Sequence, residues 1–413
     1  MNSRLNPPDH TAPLGRTTPM IMALACGISV ANVYFPQAVT PLIADGFGIA
    51  PGAAATVATV TQFGYAAGIF LLVPLGDRFR PRPLILTLLA GTGLALLAAG
   101  LSPAIGPLLA ASAAVGLATV IPQILIPVAA GMVGTDRRGA VIGTLQGGLI
   151  GGILLARTFG GVLGDRLGWR APYLVAAVLA ALLAVVLNPA LPANAPAARD
   201  RYPALLAGTV RMLCTEPDLR RSVLYQATLF GGFSAAWTTL ALLVTGPGYE
   251  LGTQTVGVLA LIGAASMLGA PSAGRWVDRR GADRVTLWCI LATAAATAIL
   301  TAAAAGGRMG LTALVAGLLL LDLAMQASQV ANQARILALR SAAGSRLNTA
   351  YMSCAFLGGG AGSLLGIRTY GRFGWLGVCV VMGLATTLAL TTHLTTRRPV
   401  IHYQFSSSSK DLP

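Results

Sequence analysis

The chain contains Gly76-Asp77-Arg78-Phe79-Arg80-Pro81-Arg82 between two long apolar segments, and Gly274-Arg275-Trp276-Val277-Asp278-Arg279-Arg280-Gly281 between two others. Asp278 follows Asp77 by 201 positions, which is close to half of the 413-residue chain. Each stretch is short, rich in arginine and carries a single acidic residue. A charged turn of this kind, repeated once in each half of an apolar chain, indicates a duplicated bundle of membrane-spanning helices.

The composition is that of a membrane protein. The chain is 55% hydrophobic and 10% charged, whereas soluble domains carry about 25% charged residues. Apolar runs of about 20 residues, long enough to cross a hydrocarbon core, recur between the charged turns. Because backbone groups inside a bilayer must bond within their own segment, we expect each run to be a helix. The twelve predicted helices cover residues 19–41, 53–75, 83–101, 104–132, 140–163, 170–188, 221–245, 254–274, 284–305, 309–336, 346–367 and 374–396.

The net charge of +15 is distributed unevenly between the two sides of this bundle. Of the 28 Lys and Arg residues, 22 fall in the termini and in the loops on the same side as the termini, and six fall at or near the opposite face. This bias follows the positive-inside rule and predicts that both termini are cytoplasmic in a cell membrane. The basic residues therefore set orientation, and we predict no nucleic-acid partner.

Residues that carry chemistry are scarce. The five cysteines are scattered without a Cys-x-x-Cys pair, and the three histidines lie in the tails or at the end of the last predicted helix. Neither set has the spacing of metal ligands. The nucleotide-binding pattern GxxxxGK(S/T) is absent as well. We therefore predict no metal, no cofactor and no enzymatic activity.

The predicted domain organisation follows the duplication. Residues 189–220 form the longest polar stretch and contain five prolines, which indicates a cytoplasmic linker with a helix around residues 203–214. The other predicted units are a cytoplasmic tail (1–18), two six-helix bundles (19–188 and 221–396) and a second cytoplasmic tail (397–413).

Glycines strengthen the internal repeat. They recur at every fourth residue in the fifth and eleventh predicted helices, at Gly143, Gly147 and Gly151 and at Gly358, Gly362 and Gly366. Such spacing lets helix backbones approach closely. The sequence GILLART (152–158) also resembles GSLLGIRT (362–369). Parallel six-helix repeats place a binding site at their interface near the middle of the membrane.

The charged turns resemble those of the Major Facilitator Superfamily, where such a loop joins the second helix to the third and recurs between the eighth and ninth. The resemblance covers roughly residues 19–397 and implies an all-α membrane protein with twelve transmembrane helices in two pseudo-symmetric six-helix bundles. It also implies that the turns hold the cytoplasmic ends of the halves together in one state and release them in the other. The residues expected to act in this gate are Asp77, Arg78, Arg82, Asp278 and Arg279. The first turn departs from the family pattern, with Val73 where Gly is favoured and Arg80-Pro81 where Gly and a basic residue are usual.

Two charged residues fall within predicted helices, where charge is expensive and marks function. Asp322 lies about twelve residues into the tenth helix, and Gln326, Gln329 and Gln333 follow it on the same helix face. We expect this stripe to face a cavity, with Asp322 carrying a coupling proton, because burial disfavours a charged carboxyl. Arg157 lies in the outer part of the fifth helix, where it either snorkels to the interface or pairs in the core, with Asp322 as its possible partner.

Further polar and aromatic residues cluster on the helices that are expected to line the cavity. Together they suit a neutral or amphipathic organic ligand, although each is equally compatible with a helix–helix hydrogen bond. The candidates are Asn32, Tyr34, Gln37, Gln62, Tyr65, Gln123, Tyr225, Gln226, Phe233, Trp237, Gln326, Gln329, Asn348 and Tyr351.

Three functions are compatible with the sequence. The leading one is proton-coupled export of a small hydrophobic or amphipathic compound by a monomer in the plasma membrane, since the chain is similar to bacterial efflux carriers. Two marks of that branch are missing, with Ser112 in place of an arginine ahead of Gly116 and Ala156-Arg157 in place of Gly-Pro. The second is proton-coupled uptake of a sugar or organic acid, and the third, a membrane-embedded enzyme or sensor, lacks supporting residues.

Overall fold

A computed structural model describes residues 17–192, 201–263, 270–339 and 344–396. Helices account for nearly all of these residues, and the described part of the chain has no strand. In chain order they are α1 (Thr17–Tyr34), α2 (Thr40–Phe47), α3 (Pro51–Leu72), α4 (Pro81–Gly100), α5 (Ile105–Ala118), α6 (Ile121–Gly131), α7 (Thr135–Leu167), α8 (Arg170–Leu187), α9 (Tyr202–Thr215), α10 (Pro217–Thr245), α11 (Gln254–Gly263), α12 (Ala270–Arg280), α13 (Ala282–Thr301), α14 (Gly307–Leu337) and α15 (Gly344–Thr395). Short 3-10 turns cover Phe35–Gln37, Val73–Asp77 and Ala302–Ala305.

Ten of the described helical stretches are long and apolar enough to cross a membrane, which confirms the predicted all-α membrane fold. The predicted eighth helix is described as α11 and α12, and the residues between them, 264–269, lie outside the described part. α15 has 52 residues and contains a non-helical kink at Gly374, with φ 59° and ψ −152°. Only glycine takes such a conformation readily. The eleventh and twelfth predicted segments therefore meet at Gly374 in a kink, without an intervening loop.

Glycine packing relates the two halves. A Cβ atom placed on Gly27 of α1 would lie 2.7 Å from the Gly148 carbonyl oxygen of α7, and one on Gly231 of α10 would lie 3.0 Å from the Gly358 carbonyl oxygen of α15. Gly152 and Gly362 likewise face the backbones of α1 and α10. The pair α1–α7 therefore corresponds to the pair α10–α15, as the duplication predicts.

The predicted glycine register is right in the second half and wrong in the first. Gly358, Gly362 and Gly366 all face α10, but a Cβ atom added to Gly143, Gly147 or Gly151 would meet nothing within 4 Å. Close packing of α7 instead uses Gly148 and Gly152. Gly143, Gly147 and Gly151 have the same four-residue spacing as Gly148 and Gly152. They lie on a different face of α7, which is turned away from α1.

A cluster of charged side chains lies within the second half. Asp283, at the start of α13, is 3.1 Å from Arg221 of α10 and 2.8 Å from Arg335 of α14. The Asp283 side chain is 59% exposed. The cluster therefore ties three helix ends together at the surface and lies outside the interface between the halves.

Candidate functional site

A cavity of about 470 Å³ lies between α7 of the first half and α14 of the second. It reaches the end of the bundle at which α6 and α14 end and α7 begins. The described part of its lining is mostly apolar, with several amides and one arginine. The lining residues are Val73, Gln123, Ile126, Pro127, Ala130, Gly131, Arg138, Ile142, Gln146, Leu149, Gln329, Gln333, Ile336, Asn348, Thr349 and Met352.

The two facing helices each present one continuous stripe. On α7 the residues Arg138, Ile142, Gln146 and Leu149 follow one another at three- or four-residue steps along the cavity wall. The same stripe continues to Ile153 and then to Arg157. On α14 the cavity residues Gln329, Gln333 and Ile336 continue the stripe that begins at Asp322 and Gln326. Each stripe thus runs from the open cavity into the sealed part of the bundle.

Aromatic side chains lie between the cavity and the sealed end of the bundle. A smaller pocket extends it inward and is lined by Tyr34, Tyr65, Gln226, Phe230 and Phe356 among others. Tyr65 of the first half contacts Phe356 of the second at 4.6 Å between ring centroids, and Phe356 contacts Phe230 at 5.0 Å. This aromatic layer crosses the interface between the halves and separates the cavity from the charged residues beyond it.

Arg157 is fully buried, so it does not snorkel to the outer interface. Its Nε donates a hydrogen bond of 2.9 Å to Oε1 of Gln37. Its guanidinium group lies 3.9 Å from the centre of the Trp237 ring and 5.1 Å from that of Tyr34. Neither Nη atom has a hydrogen-bond partner among the described residues. Aromatic faces therefore replace a carboxylate around this cation.

Asp322 is also buried, with 3% of its surface exposed. Its Oδ1 accepts a hydrogen bond of 3.2 Å from Nε1 of Trp237, and its Oδ2 has no partner in the described part of the chain. Arg157 and Asp322 are not within 4.0 Å of each other. Trp237 contacts both, with its ring face toward Arg157 and its N–H toward Asp322. The tryptophan thus stands between the two charges and keeps them from forming a direct ion pair.

Four hydrogen bonds join the two halves between the level of Arg157 and the end of the bundle that is opposite the cavity mouth. We call them the polar seal. They are Gln37 Nε2 to Thr238 Oγ1 at 3.5 Å, Thr59 Oγ1 with Ser363 Oγ at 2.6 Å, Thr158 Oγ1 to the Gly257 carbonyl at 2.8 Å, and Thr253 Oγ1 to Asp165 Oδ1 at 3.3 Å. Ser363 also donates to Thr238 at 3.0 Å, which links two of these bonds. The polar seal closes the end of the bundle that is opposite the cavity mouth.

The sequence-predicted cavity residues divide into two groups. The cavity and its inner extension are lined by Tyr34, Tyr65, Gln123, Gln226, Gln329 and Asn348. The remaining predicted residues line neither the cavity nor its inner extension; they are Asn32, Gln37, Gln62, Tyr225, Phe233, Trp237, Gln326 and Tyr351. Asn32, for example, donates to Thr119 at 3.1 Å within the first half, and Tyr225 accepts from Arg221 at 2.8 Å.

Arg138, Gln146 and Thr349 line the cavity and were not among the predicted site residues. As a basic residue near a helix end, Arg138 is explained by the positive-inside rule alone. The sequence does contain a pattern that could have indicated their role, because Arg138, Ile142 and Gln146 recur at four-residue spacing on one face of the helix.

The predicted gate residues lie at the helix ends near the cavity mouth. Asp77 ends the 3-10 turn after α3, and this turn contacts both α9 and α15. Arg82 donates to Asn188 at 2.8 Å within the first half. Arg78, Asp278 and Arg279 are exposed. The first charged turn therefore meets a helix of the other half.

A helical membrane protein with a central cavity between two repeated bundles, open at one end and sealed at the other, has the architecture of a transporter. The sequence pattern of the Major Facilitator Superfamily matches residues 20–325, and the chain belongs to this family.

Relatives agree with this assignment, and solved structures share the fold. The chain is 36% identical over 377 residues to the putative uncharacterized transporter YgaY of Escherichia coli, covering 91% of this chain and 93% of the relative. It is 38% identical over 375 residues to the probable transporter SCO4007 of Streptomyces coelicolor, covering 90% and 85%. Its fold resembles a bacterial homologue of the human lysosomal transporter Spinster in an inward-facing, unoccupied conformation (TM-score 0.63, 16% identity, 93% and 95% covered). The fold also resembles the nucleoside transporter NupG in a mutant form (TM-score 0.72, 14% identity, 92% and 98% covered).

Proposed function

We propose that this transporter exports a small hydrophobic or amphipathic compound in exchange for protons, by alternating access. It acts as a monomer in the plasma membrane with both termini in the cytoplasm. In this orientation, which rests on the distribution of basic residues, the cavity opens to the cytoplasm and the polar seal closes the outer side.

The observation that carries the proposal is the environment of Asp322. A carboxyl group that is 97% buried in a membrane bundle is costly unless it has a function. If Arg157 were bonded to Asp322, the pair would be a structural ion pair and the carboxyl would stay charged. Instead Trp237 separates them, and one carboxyl oxygen has no partner among the described residues. This arrangement leaves Asp322 able to gain and lose a proton during the transport cycle.

The position of Asp322 suggests how proton and cargo are coupled. Asp322 shares the α14 stripe with Gln329 and Gln333, which line the cavity, and it contacts Trp237, whose neighbour Thr238 is part of the polar seal. A change of charge at Asp322 therefore acts on the same helices that hold the seal closed. Cargo in the cavity and a proton on Asp322 would favour different states of one interface, which is the requirement for exchange.

The cavity supports the cargo class. Its volume of about 470 Å³ lies within the range of sites for drug-sized molecules. Aliphatic side chains such as Ile126, Leu149 and Met352 supply apolar surface, and amides such as Gln123 and Gln329 supply hydrogen bonds that fix orientation. Uptake of a sugar is less compatible with this lining, because a sugar requires many polar contacts and few apolar ones.

The test replaces Asp322 by asparagine, which keeps size and polarity but cannot exchange a proton. We expect Asp322→Asn to lose cargo accumulation driven by a proton gradient in inverted membrane vesicles, while cargo still binds and its affinity no longer depends on pH. Asp45→Asn is the matched control, because Asp45 is an exposed carboxylate at the sealed end of the bundle. Gradient-driven accumulation at the parental rate in Asp322→Asn would contradict proton coupling through this residue. Accumulation by intact cells, with none in inverted vesicles, would favour uptake over export.

A further inference from the structure

We infer that Arg138 is the binding site for an anionic group on the cargo, so that the transported compound is an amphipathic acid. This inference rests on the proposed function, because it names the chemical class of the compound that the cavity accepts. It goes beyond the apolar character of the cavity to the charge of Arg138 in the described part of its wall.

Arg138 is the charged residue among the cavity-lining residues that the structure describes. It lies in the first turns of α7 at the cavity mouth and is exposed there. It forms no ion pair with any acidic side chain in the described part of the chain, although Arg221 and Arg335 both do. A guanidinium group offers up to five donors in a planar fork that matches a carboxylate, sulfonate or phosphate. Arg138 is therefore a donor group that faces the cavity without an acceptor among the described side chains.

The neighbouring groups favour an anion over a cation. The described lining of the cavity contains no Asp or Glu. The nearest acidic residue on the facing stripe, Asp322, is buried beyond the aromatic layer and is hydrogen-bonded to Trp237. An organic cation in the cavity would thus be desolvated without a counter-charge, which is unfavourable. An anionic group near Arg138 would be paired.

The apolar part of the cavity has the right position for the rest of such a molecule. Ile142 is one helical turn further along the α7 stripe than Arg138, and Leu149 lies about 16 Å from Arg138 along the helix at 1.5 Å per residue. The stripe thus places a charge at the mouth and aliphatic groups deeper in the cavity, with Gln146 between them as an additional hydrogen-bonding group. An amphipathic acid matches this order, with its charged end toward the cytoplasm and its apolar body toward the aromatic layer.

The test compares two fluorescent probes that share one ring system, anilinonaphthalene sulfonate (an anion) and N-phenyl-naphthylamine (neutral). Their binding to the purified full-length protein in lipid nanodiscs is measured against empty nanodiscs. We expect the parent to bind the sulfonate about tenfold more tightly than the neutral probe, as a hydrogen-bonded charge pair would provide. Arg138→Gln should remove this preference and leave the affinity for the neutral probe unchanged, and Arg138→Lys should retain part of it. Arg137→Gln is the matched control, because Arg137 is exposed beside Arg138 but does not line the cavity.

Equal affinity of the parent for both probes would overturn the inference and leave the proposed export of apolar compounds intact. The same loss of sulfonate binding in Arg137→Gln and Arg138→Gln would also overturn it, since general surface charge would then explain the effect. Failure of the parent to bind either probe would contradict the proposed apolar cargo as well. If Arg138→Gln does not fold, the salt dependence of binding to the parent replaces it: salt should weaken binding of the sulfonate only, and equal responses of both probes would overturn the inference.

Discussion

The hydrogen bond between Thr59 and Ser363 gives a direct measure of what the polar seal contributes. The two hydroxyl oxygens are 2.6 Å apart, both residues are buried, and they belong to different halves of the protein. Thr59→Val keeps the branched shape of the side chain and removes the hydroxyl. A buried hydrogen bond of this kind contributes about 1 kcal/mol. Since this bond breaks when the halves separate, its loss should raise the ratio of outward-open to sealed molecules about fivefold.

The chain supplies a matched control in the same helix. Thr61 is as buried as Thr59, but its hydroxyl donates to the Val57 carbonyl of its own helix at 2.8 Å. That bond is kept in both states, so Thr61→Val should leave the ratio unchanged. The populations can be read from the distance between spin labels placed at Asp45 and Gln254, which are exposed residues of different halves at the sealed end.

A double-mutant cycle tests the pairing itself. Ser363→Ala removes the bonds to both Thr59 and Thr238. If the Thr59–Ser363 bond acts as described, the double variant should shift the equilibrium by less than the two single effects combined. Strictly additive effects, or equal effects of Thr59→Val and Thr61→Val, would show that this bond does not hold the halves together.

Substitutions of a glycine and an aspartate test the helix packing and the gate, and a fused reporter tests the orientation. Gly27→Ala should lower the stability of the folded protein in detergent by roughly 1–3 kcal/mol, because the added methyl group would overlap the Gly148 backbone. Gly143→Ala should be neutral or stabilising, because Gly143 faces open space. Equal losses of stability in both variants would contradict the helix register described here. Asp77→Asn should slow transport without lowering the amount of folded protein, because its turn meets α15 of the other half, and an unchanged transport rate with unchanged state populations would show that the turn does not gate. A reporter fused after residue 413 that is active only in the periplasm should remain silent, and strong activity would reverse the proposed orientation.

The helix content could be predicted from the sequence because length and hydrophobicity decide which segments cross a bilayer. The face that each helix presents to its neighbours could not. In a soluble protein the apolar face marks the core, but lipid is as apolar as the interior of a membrane bundle, so Gly143 and Gly148 look equivalent in the sequence although only Gly148 contacts α1. Repetition between the halves was a better guide, since GILLART and GSLLGIRT place Gly152 and Gly362 at corresponding contacts.

The candidate site was predictable in part for the same reason. A lone carboxyl such as Asp322 is unusual inside a membrane and is visible in the sequence without any knowledge of packing. The position of Trp237 between Asp322 and Arg157 depends on three helices whose residues are far apart in the chain. The role of Arg138 could not be predicted, because a basic residue at a helix end that is predicted to be cytoplasmic fits the positive-inside rule whether or not it also faces a cavity.

Under the proposed alternating access, the polar seal contributes to the work that each transport cycle requires. Four hydrogen bonds between the halves, at about 0.5–1.5 kcal/mol each, must be broken to open the outer side. One elementary charge that crosses a membrane potential of about 100 mV releases about 2.3 kcal/mol. The four bonds together amount to about 2–6 kcal/mol. Under the proposed exchange for protons, the entry of one proton therefore offsets only the lower end of this range, and contacts that form in the outward-open state must supply the rest.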